Sequence, residues 1–255
     1  MLSTEAARIV AVCVLVLAGL APVIWALVFF RRMPLKPAQK VVWGVNYLIA
    51  RLLWRTRVES RLQLPAGQGA VIVANHRSSI DPCFIEIAVA GNVHWMVAKE
   101  YCQSKAFGWF LRIAEVIPTN RGGIDTASTK MAIRIAQEGG LIGVFPEGRI
   151  NTTADTLLPG RPGAAMIALK AKVPVIPCYI AGSPYDGTAY GALLMSANVR
   201  LRIGRPIDLS PYYDREGDRE VLEDLTRQFL KEIARLAGDD DFEPQLAGRF
   251  YKPIE

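Results

Sequence analysis

The sequence predicts an α/β protein with a largely parallel central sheet flanked by helices, preceded by an N-terminal transmembrane helix and an interfacial amphipathic helix. Beyond residue 60, short apolar strand candidates alternate with helix candidates, which implies crossover connections and parallel pairing. Ahead of them lie a long uncharged run and a basic amphipathic stretch. The predicted organisation is a transmembrane helix over residues 1–33, the interfacial helix over 34–60 and one folded domain over 61–255.

Composition narrows the possible function classes. Apolar residues make up 51% of the 255 residues, a high share that favours membrane contact. The net charge of +6 suits nucleic acid, an anionic membrane surface or a phosphorylated small molecule. The cations lie mainly beside the apolar segments and form no continuous stripe, so nucleic acid is the weakest of these partners. The four cysteines show no Cys-x-x-Cys spacing, which argues against zinc and against a disulfide framework.

The first element is the uncharged run of residues 9–30. As a helix it would measure roughly 33 Å, enough to cross the hydrocarbon core of a bilayer. A cleaved signal peptide is the alternative, but no small-residue cleavage site precedes the basic pair that follows the run. The cations on its carboxyl side are Arg31, Arg32, Lys36 and Lys40. By the positive-inside rule they put the folded domain on the cytoplasmic face of the cell membrane.

The second element is the stretch from residue 37 to residue 58. Its apolar residues follow helical spacing, and basic residues lie among them. The apolar set is Val41, Val42, Val45, Leu48, Ile49 and Leu52. This pattern is typical of a helix in the membrane interface, with its cations near anionic headgroups. A core helix of the folded domain is the alternative interpretation.

The remaining elements alternate along the chain. Strands are predicted at residues 70–74, 93–98, 115–118, 141–145, 175–180 and 199–203. Helices are predicted at residues 82–89, 103–113, 125–138, 163–171 and 219–236. Short, unbroken apolar strands fit a sheet that is covered on both faces.

Two residues that follow the first of these strands, His76 and Asp81, are candidates for catalysis. His76 is one of only two histidines in the chain, and Asp81 follows it by five residues. A histidine at the carboxyl end of a strand can take a proton from a substrate hydroxyl, and a carboxylate can fix its tautomer. Taken alone, His76 could be a structural histidine and Asp81 a helix N-cap before proline. Their combination at the carboxyl edge of a sheet favours a catalytic dyad.

Two further polar clusters follow strands of the same predicted sheet. They are Glu147-Gly148-Arg149 and Thr119-Asn120-Arg121. Glycine lets the backbone approach a ligand closely, and arginine offers a planar fork for phosphate. Each cluster could instead be an ordinary polar loop. Two arginines at the same sheet edge as the dyad indicate an anionic, phosphorylated substrate.

The order and spacing of these residues resemble the 1-acylglycerol-3-phosphate acyltransferases, within the wider glycerolipid acyltransferase family. Four blocks carry the resemblance, which extends over roughly residues 64 to 208. The blocks are residues 75–82, 117–121, 145–149 and 173–177. The third block departs from the family's Glu-Gly-Thr-Arg, because Arg149 comes one position early and is followed by Ile150.

The resemblance implies transfer of a fatty acyl group from an acyl thioester to the free hydroxyl of 1-acylglycerol 3-phosphate, a lysophospholipid. The donor would be acyl-CoA or acyl carrier protein, and the product phosphatidic acid would enter phospholipid biosynthesis. His76 and Asp81 would form the catalytic dyad, with no cofactor and no metal. The implied substrate-binding residues are Arg121 for the phosphate, with Lys99, Glu147, Gly148, Arg149, Asn75, Ser78, Thr119 and Asn120.

Three alternatives remain open at this point. Cys83, two residues past Asp81, could form a covalent acyl-enzyme. The acceptor could be glycerol 3-phosphate, another lysophospholipid or a lyso-glycolipid, with the same dyad. The chain could also be an inactive membrane-anchored lipid-binding protein, although the presence of His76, Asp81 and the two polar clusters argues against that.

Overall fold

The computed structural model describes residues 4–60, 62–65, 67–89, 91–120, 126–188 and 190–248. The strands are β1 Arg57–Val58, β2 Ala70–Ala74, β3 Val93–Ala98, β4 Ile117–Thr119, β5 Leu141–Val144, β6 Val175–Ala181 and β7 Arg200–Ile203. The helices are α1 Thr4–Arg32, α2 Pro37–Leu52, α3 Asp81–Glu86, α4 Lys99–Cys102, α5 Gly108–Ile113, α6 Thr126–Gln137, α7 Gly163–Ala171 and α8 Arg219–Ala237. Short 3-10 helices cover Gly191–Leu194 and Ser210–Tyr212.

Over the described residues, the strands form a seven-stranded sheet in the order β1-β7-β6-β2-β5-β3-β4. The named strands pair in parallel, except for the antiparallel pair of β6 with β7. This confirms the predicted α/β class with a largely parallel sheet. Because parallel strands share a carboxyl edge, the loops after β2, β3, β4, β5 and β6 leave the sheet on the same side.

The central strand β2 is fixed by apolar packing on both faces of the sheet. Val71 and Val73 belong to a core formed with α6, α7 and α8. Ala70, Ile72 and Ala74 belong to a second core formed with α2 and α3. All five residues are buried, and full burial of a valine or isoleucine side chain contributes about 1.5–3 kcal/mol. The loop that follows β2 therefore starts from a rigid point.

Two of the predicted elements differ from the structure. Of the helix predicted over residues 103–113, only residues 108–113 are helical, as α5, while residues 103–107 form a corner between α4 and α5. A Cβ at Gly108 would lie 2.6 Å from the Cys102 carbonyl oxygen, so this corner requires glycine. The strand predicted from residue 115 begins at Ile117, because Glu115 adopts a left-handed φ of 53° in a turn. The two-residue β1 has no counterpart among the predicted strands.

The uncharged run of residues 9–30 lies within α1. Its described side chains are widely exposed, and Ile9, Leu15 and Leu17 each expose more than 60% of their surface. Among the residues that the structure describes, no helix has both the length and the apolar character of a membrane span. The predicted transmembrane segment is therefore confirmed as a helix, while its role as a span is not supported.

Helix α2 packs against α3, the helix that follows β2. Trp43 Nε1 donates to the Glu86 carbonyl oxygen at 3.0 Å, and Asn46 Nδ2 donates to the Cys83 carbonyl oxygen at 2.9 Å. Trp43 and Ala50 of α2 are buried. Other apolar residues of α2 are exposed, namely Val41, Val45, Leu48 and Leu52. This helix thus combines a fixed contact to α3 with an apolar surface that no described residue covers.

Candidate active site

The site begins where β2 ends. Asn75, the first residue after the strand, is 1% exposed. Its side-chain amide donates to the Ile180 carbonyl at 2.9 Å, and its side-chain oxygen accepts from the Ile180 amide at 2.7 Å. This two-point bond ties the end of β2 to β6. Asn75, predicted to bind substrate, therefore contacts the β6 backbone and fixes where the chain leaves the sheet.

His76 and Asp81 meet as the sequence predicts. The imidazole Nδ1 lies 3.0 Å from Asp81 Oδ2, and the Asp81 side chain is fully buried at the start of α3. The same oxygen accepts from the backbone amides of Arg77 at 2.6 Å and Ser78 at 2.8 Å. An imidazole that donates Nδ1–H to a carboxylate carries its lone pair on Nε2. This arrangement can therefore act as a general base through Nε2.

The second oxygen of Asp81 is also bonded. Ser183 Oγ donates to Asp81 Oδ1 at 2.6 Å, across 102 positions of sequence. Ser183 follows β6, the neighbour of β2, after Gly182 with its positive φ of 77°. Nothing in the sequence pattern predicts a role for Ser183. The available signal was its position, because it lies two residues past the carboxyl end of β6, the strand adjacent to the one that precedes His76.

Glu147 holds the backbone of His76 from the β5 side. Its Oε1 accepts from the His76 amide at 2.7 Å, and its Oε2 accepts from the Leu158 amide at 2.8 Å. Burial raises the pKa of the Glu147 carboxyl to about 7, although these backbone donors act in the opposite direction. With both carboxylate oxygens bonded to backbone amides, Glu147 is suited to positioning His76.

The guanidinium of Arg77 binds the loop that contains residues 151–155 and forms one wall of the site with it. It donates to the carbonyl oxygens of Asn151, Thr153 and Asp155 at 3.2, 2.6 and 2.5 Å. The Asn151 amide in turn donates to the His76 carbonyl at 2.7 Å. A cavity of about 350 Å³ lies beside this wall. Its lining includes Arg77, Asn151, Tyr179, Ser183 and Tyr185.

The other predicted binding residues lie at the same sheet edge wherever the structure describes them. Lys99 is half-buried at the start of α4, directly after β3, and Thr119 ends β4. Asn120 and Gly148 are exposed, and Arg149 is half-buried. Ser78 is buried within the turn that holds Asp81. Arg121, the predicted phosphate ligand, lies outside the described residues.

Cys83 is poorly suited to form an acyl-enzyme. Burial raises the pKa of its thiol to about 12, and the carboxyl groups of Glu86 and Asp81 act in the same direction. A thiol with that pKa has almost no thiolate near neutral pH, and the thiolate is the nucleophile.

Among the described residues, no group of three histidine, cysteine or acidic side chains is placed to hold a metal ion.

Comparisons with known proteins identify the class to which this fold and this site belong. Residues 55–181 match the family model described as Acyltransferase. A 1-acyl-sn-glycerol-3-phosphate acyltransferase of Bacillus subtilis is 30% identical over 162 residues, which cover 63% of this chain and 77% of that protein. The protein of the same name from Streptococcus pneumoniae is 27% identical over 169 residues, covering 65% of this chain and 60% of that protein. The chain is therefore an enzyme of the acyltransferase class.

Within that class, the chain belongs to the 1-acyl-sn-glycerol-3-phosphate acyltransferase family, as its sequence motifs suggested. The crystal structure of the 1-acyl-sn-glycerophosphate (LPA) acyltransferase PlsC from Thermotoga maritima has a similar fold. That similarity gives a TM-score of 0.58 over 85% of this chain and 91% of that chain, at 22% identity.

The hydrogen bond from Ser183 to Asp81 predicts a measurable effect on turnover. Ser183→Ala removes one donor from a buried carboxylate, a loss of roughly 1–3 kcal/mol, which corresponds to about 5- to 150-fold in rate where it falls on the transition state. We expect kcat for acyl transfer to fall by about tenfold with little change in KM. Ser183→Thr keeps the hydroxyl and should retain most of the activity. Equal activity of the alanine variant and the unmodified enzyme would contradict a role for this bond.

Proposed function

We propose that this enzyme moves a fatty acyl group from acyl-CoA or acyl carrier protein to the free hydroxyl of 1-acylglycerol 3-phosphate, forming phosphatidic acid for phospholipid biosynthesis. The observation that carries the proposal is the 3.0 Å contact between His76 Nδ1 and Asp81 Oδ2 at the carboxyl edge of the sheet. The acceptor is the one named by the relatives from Bacillus subtilis and Streptococcus pneumoniae.

The proposed reaction has one attack step and needs no cofactor. His76 Nε2 takes the proton of the acceptor hydroxyl while Asp81 stabilises the imidazolium that forms. The acceptor oxygen attacks the thioester carbonyl, so that the new ester C–O bond forms and the C–S bond breaks. The imidazolium then returns its proton to the leaving thiolate, which restores the neutral histidine.

The phosphate of the acceptor is proposed to bind at the rim formed by β3 and β4. Ala98 and Thr119 are register partners in these strands, so Lys99 follows one strand end and Arg121 lies two residues past the other. Cations on adjacent strand ends can hold one phosphate between them. Arg149, after β5 on the other side of β3, offers a further guanidinium. Fixing the phosphate would align the acceptor hydroxyl with His76 and lower the entropic part of the barrier.

An assay of thiol release tests the proposed reaction. Purified protein receives palmitoyl-CoA with 1-acylglycerol 3-phosphate, and free thiol is followed over time. We expect thiol release that requires the acceptor and that His76→Ala and Asp81→Asn nearly abolish. His94→Gln, a change at the chain's only other histidine, is the control and should keep the activity. Acceptor-dependent release that survives in the His76→Ala variant would contradict the dyad mechanism.

The same assay with other acceptors tests the substrate assignment. Glycerol 3-phosphate, other lysophospholipids and a lyso-glycolipid are compared with 1-acylglycerol 3-phosphate, and acyl carrier protein is compared with CoA as the carrier. Arg121→Ala should raise KM for the phosphate-bearing acceptor by about tenfold, with Arg134→Ala on α6 as the control. Higher turnover with another acceptor would overturn the assignment. Lipid binding without any acyl transfer would favour the inactive lipid-binding alternative.

We further propose that α1 and α2 hold the enzyme at the cytoplasmic face of the cell membrane. Two observations support this: both helices expose large apolar side chains, and cations lie at the junction between them. The cations near the junction are Arg31, Arg32, Lys36 and Lys40. Exposed apolar side chains beside cations suit the boundary between acyl chains and anionic headgroups. The acceptor and the product are both lipids, so a site near this surface would reach them directly.

Vesicle flotation tests the membrane proposal. Leu48, in α2, is 58% exposed, and Leu48→Glu puts a negative charge into the proposed contact with anionic lipid. We expect the fraction bound to phosphatidylglycerol vesicles to fall several-fold. Gln228→Glu makes the same charge change at an exposed position of α8 and should leave binding unaltered. An equal loss in both variants, or no loss in either, would contradict contact through α2.

A further inference from the structure

The catalytic imidazole lies against a column of aromatic rings. Phe145 stacks on His76 with ring centroids 3.9 Å apart and an interplanar angle of 7°. Trp95 stacks on Phe145 at 4.7 Å and 16°. Two rings cannot both lie flat on one face of a single phenyl group, so Phe145 lies between the imidazole and the indole. The three rings follow the order of the three neighbouring strands β2, β5 and β3.

The sheet register builds this column. Gly143 of β5 pairs with Ile72 of β2 on one side and with Trp95 of β3 on the other. A Cβ at position 143 would lie 2.4 Å from the indole ring, so only glycine lets the indole lie across β5. Phe145 comes two residues after Gly143 and therefore projects from the same face. The indole of Trp95, which is only 3% exposed, thus packs on the face of Phe145 opposite His76.

Both ends of the column are attached to α3. At one end, Asp81, the first residue of the helix, accepts from His76 Nδ1. At the other end, Glu86, the last residue of the helix, accepts from Trp95 Nε1 at 3.3 Å. Burial raises the pKa of the Glu86 carboxyl to about 8, so this acid is largely uncharged at neutral pH. The six-residue helix therefore fixes the histidine and the base of its aromatic support together.

We propose that Phe145, supported by Trp95, is a positioning residue that fixes the plane of the His76 ring. The bond to Asp81 holds one ring nitrogen but does not by itself fix the plane of the imidazole, because χ2 of histidine has broad energy wells. Flat contact with Phe145 removes that freedom and directs Nε2 toward the acceptor hydroxyl. The phenyl face also attracts the positive ring that forms when His76 takes the proton. This inference rests on the proposed role of His76 as general base.

The kinetic test compares three variants in the acyl-transfer assay. Phe145→Leu keeps an apolar side chain but loses the flat face, and we expect kcat to fall about tenfold while both KM values change less than twofold. Phe145→Tyr keeps the ring and should retain most of the activity. Trp95→Phe keeps a flat support, and its kcat should lie between those of the two Phe145 variants. Equal losses in the leucine and tyrosine variants, or no loss in the leucine variant, would overturn the positioning role.

A spectroscopic measurement tests the stack without relying on activity. Protons above an aromatic face resonate upfield, and the chain has only two histidines to resolve. In Phe145→Leu, the carbon-bound ring protons of His76 should move downfield while those of His94 stay in place. Unchanged His76 resonances would contradict the stack. If the shift occurs but the unmodified enzyme transfers no acyl group, the proposed function fails and the stack itself stands.

Discussion

The buried carboxylate of Asp81 is the constraint on which the site depends. A fully buried carboxylate is costly unless its oxygens accept hydrogen bonds. Here four donors supply them: the amides of Arg77 and Ser78, the hydroxyl of Ser183 and the imidazole of His76. Three of these groups come from the loop after β2, and one comes from the loop after β6. Satisfying this one group therefore fixes the turn, the histidine and the packing of two strand ends at once.

The sequence predicted the local part of this arrangement and missed the long-range part. His76 and Asp81 are five residues apart, so strand, turn and helix start are enough to bring them together. Ser183 approaches Asp81 across 102 positions, and nothing in its local sequence distinguishes it from an ordinary loop serine. The family resemblance implied that Glu147 binds substrate, and it did not predict the bonds of Glu147 to backbone amides. Its backbone partners follow from the placement of β5 beside β2, which local pattern does not encode.

The short helix α3 links the loop after β2 to helix α2. Its first residue bonds to His76, its last residue bonds to Trp95, and its backbone carbonyls accept from Trp43 and Asn46 of α2. The exposed apolar surface of α2 is therefore separated from His76 by one helix. Sequence pattern could assign α2 to the interface or to the core, and the structure gives it features of both. This placement puts the exposed apolar surface of α2 and the His76–Asp81 contact on opposite sides of one short helix.

The tautomer of His76 is the most direct test of this account. Nitrogen-15 NMR of the labelled protein reads the imidazole nitrogens, and His94→Gln removes the other histidine from the spectrum. At a pH that keeps the ring neutral, we expect a proton on Nδ1, facing Asp81, and a free lone pair on Nε2. A neutral ring with its proton on Nε2 would contradict the proposed role of His76 as general base. Nε2 would then have no lone pair to take the proton of the substrate hydroxyl.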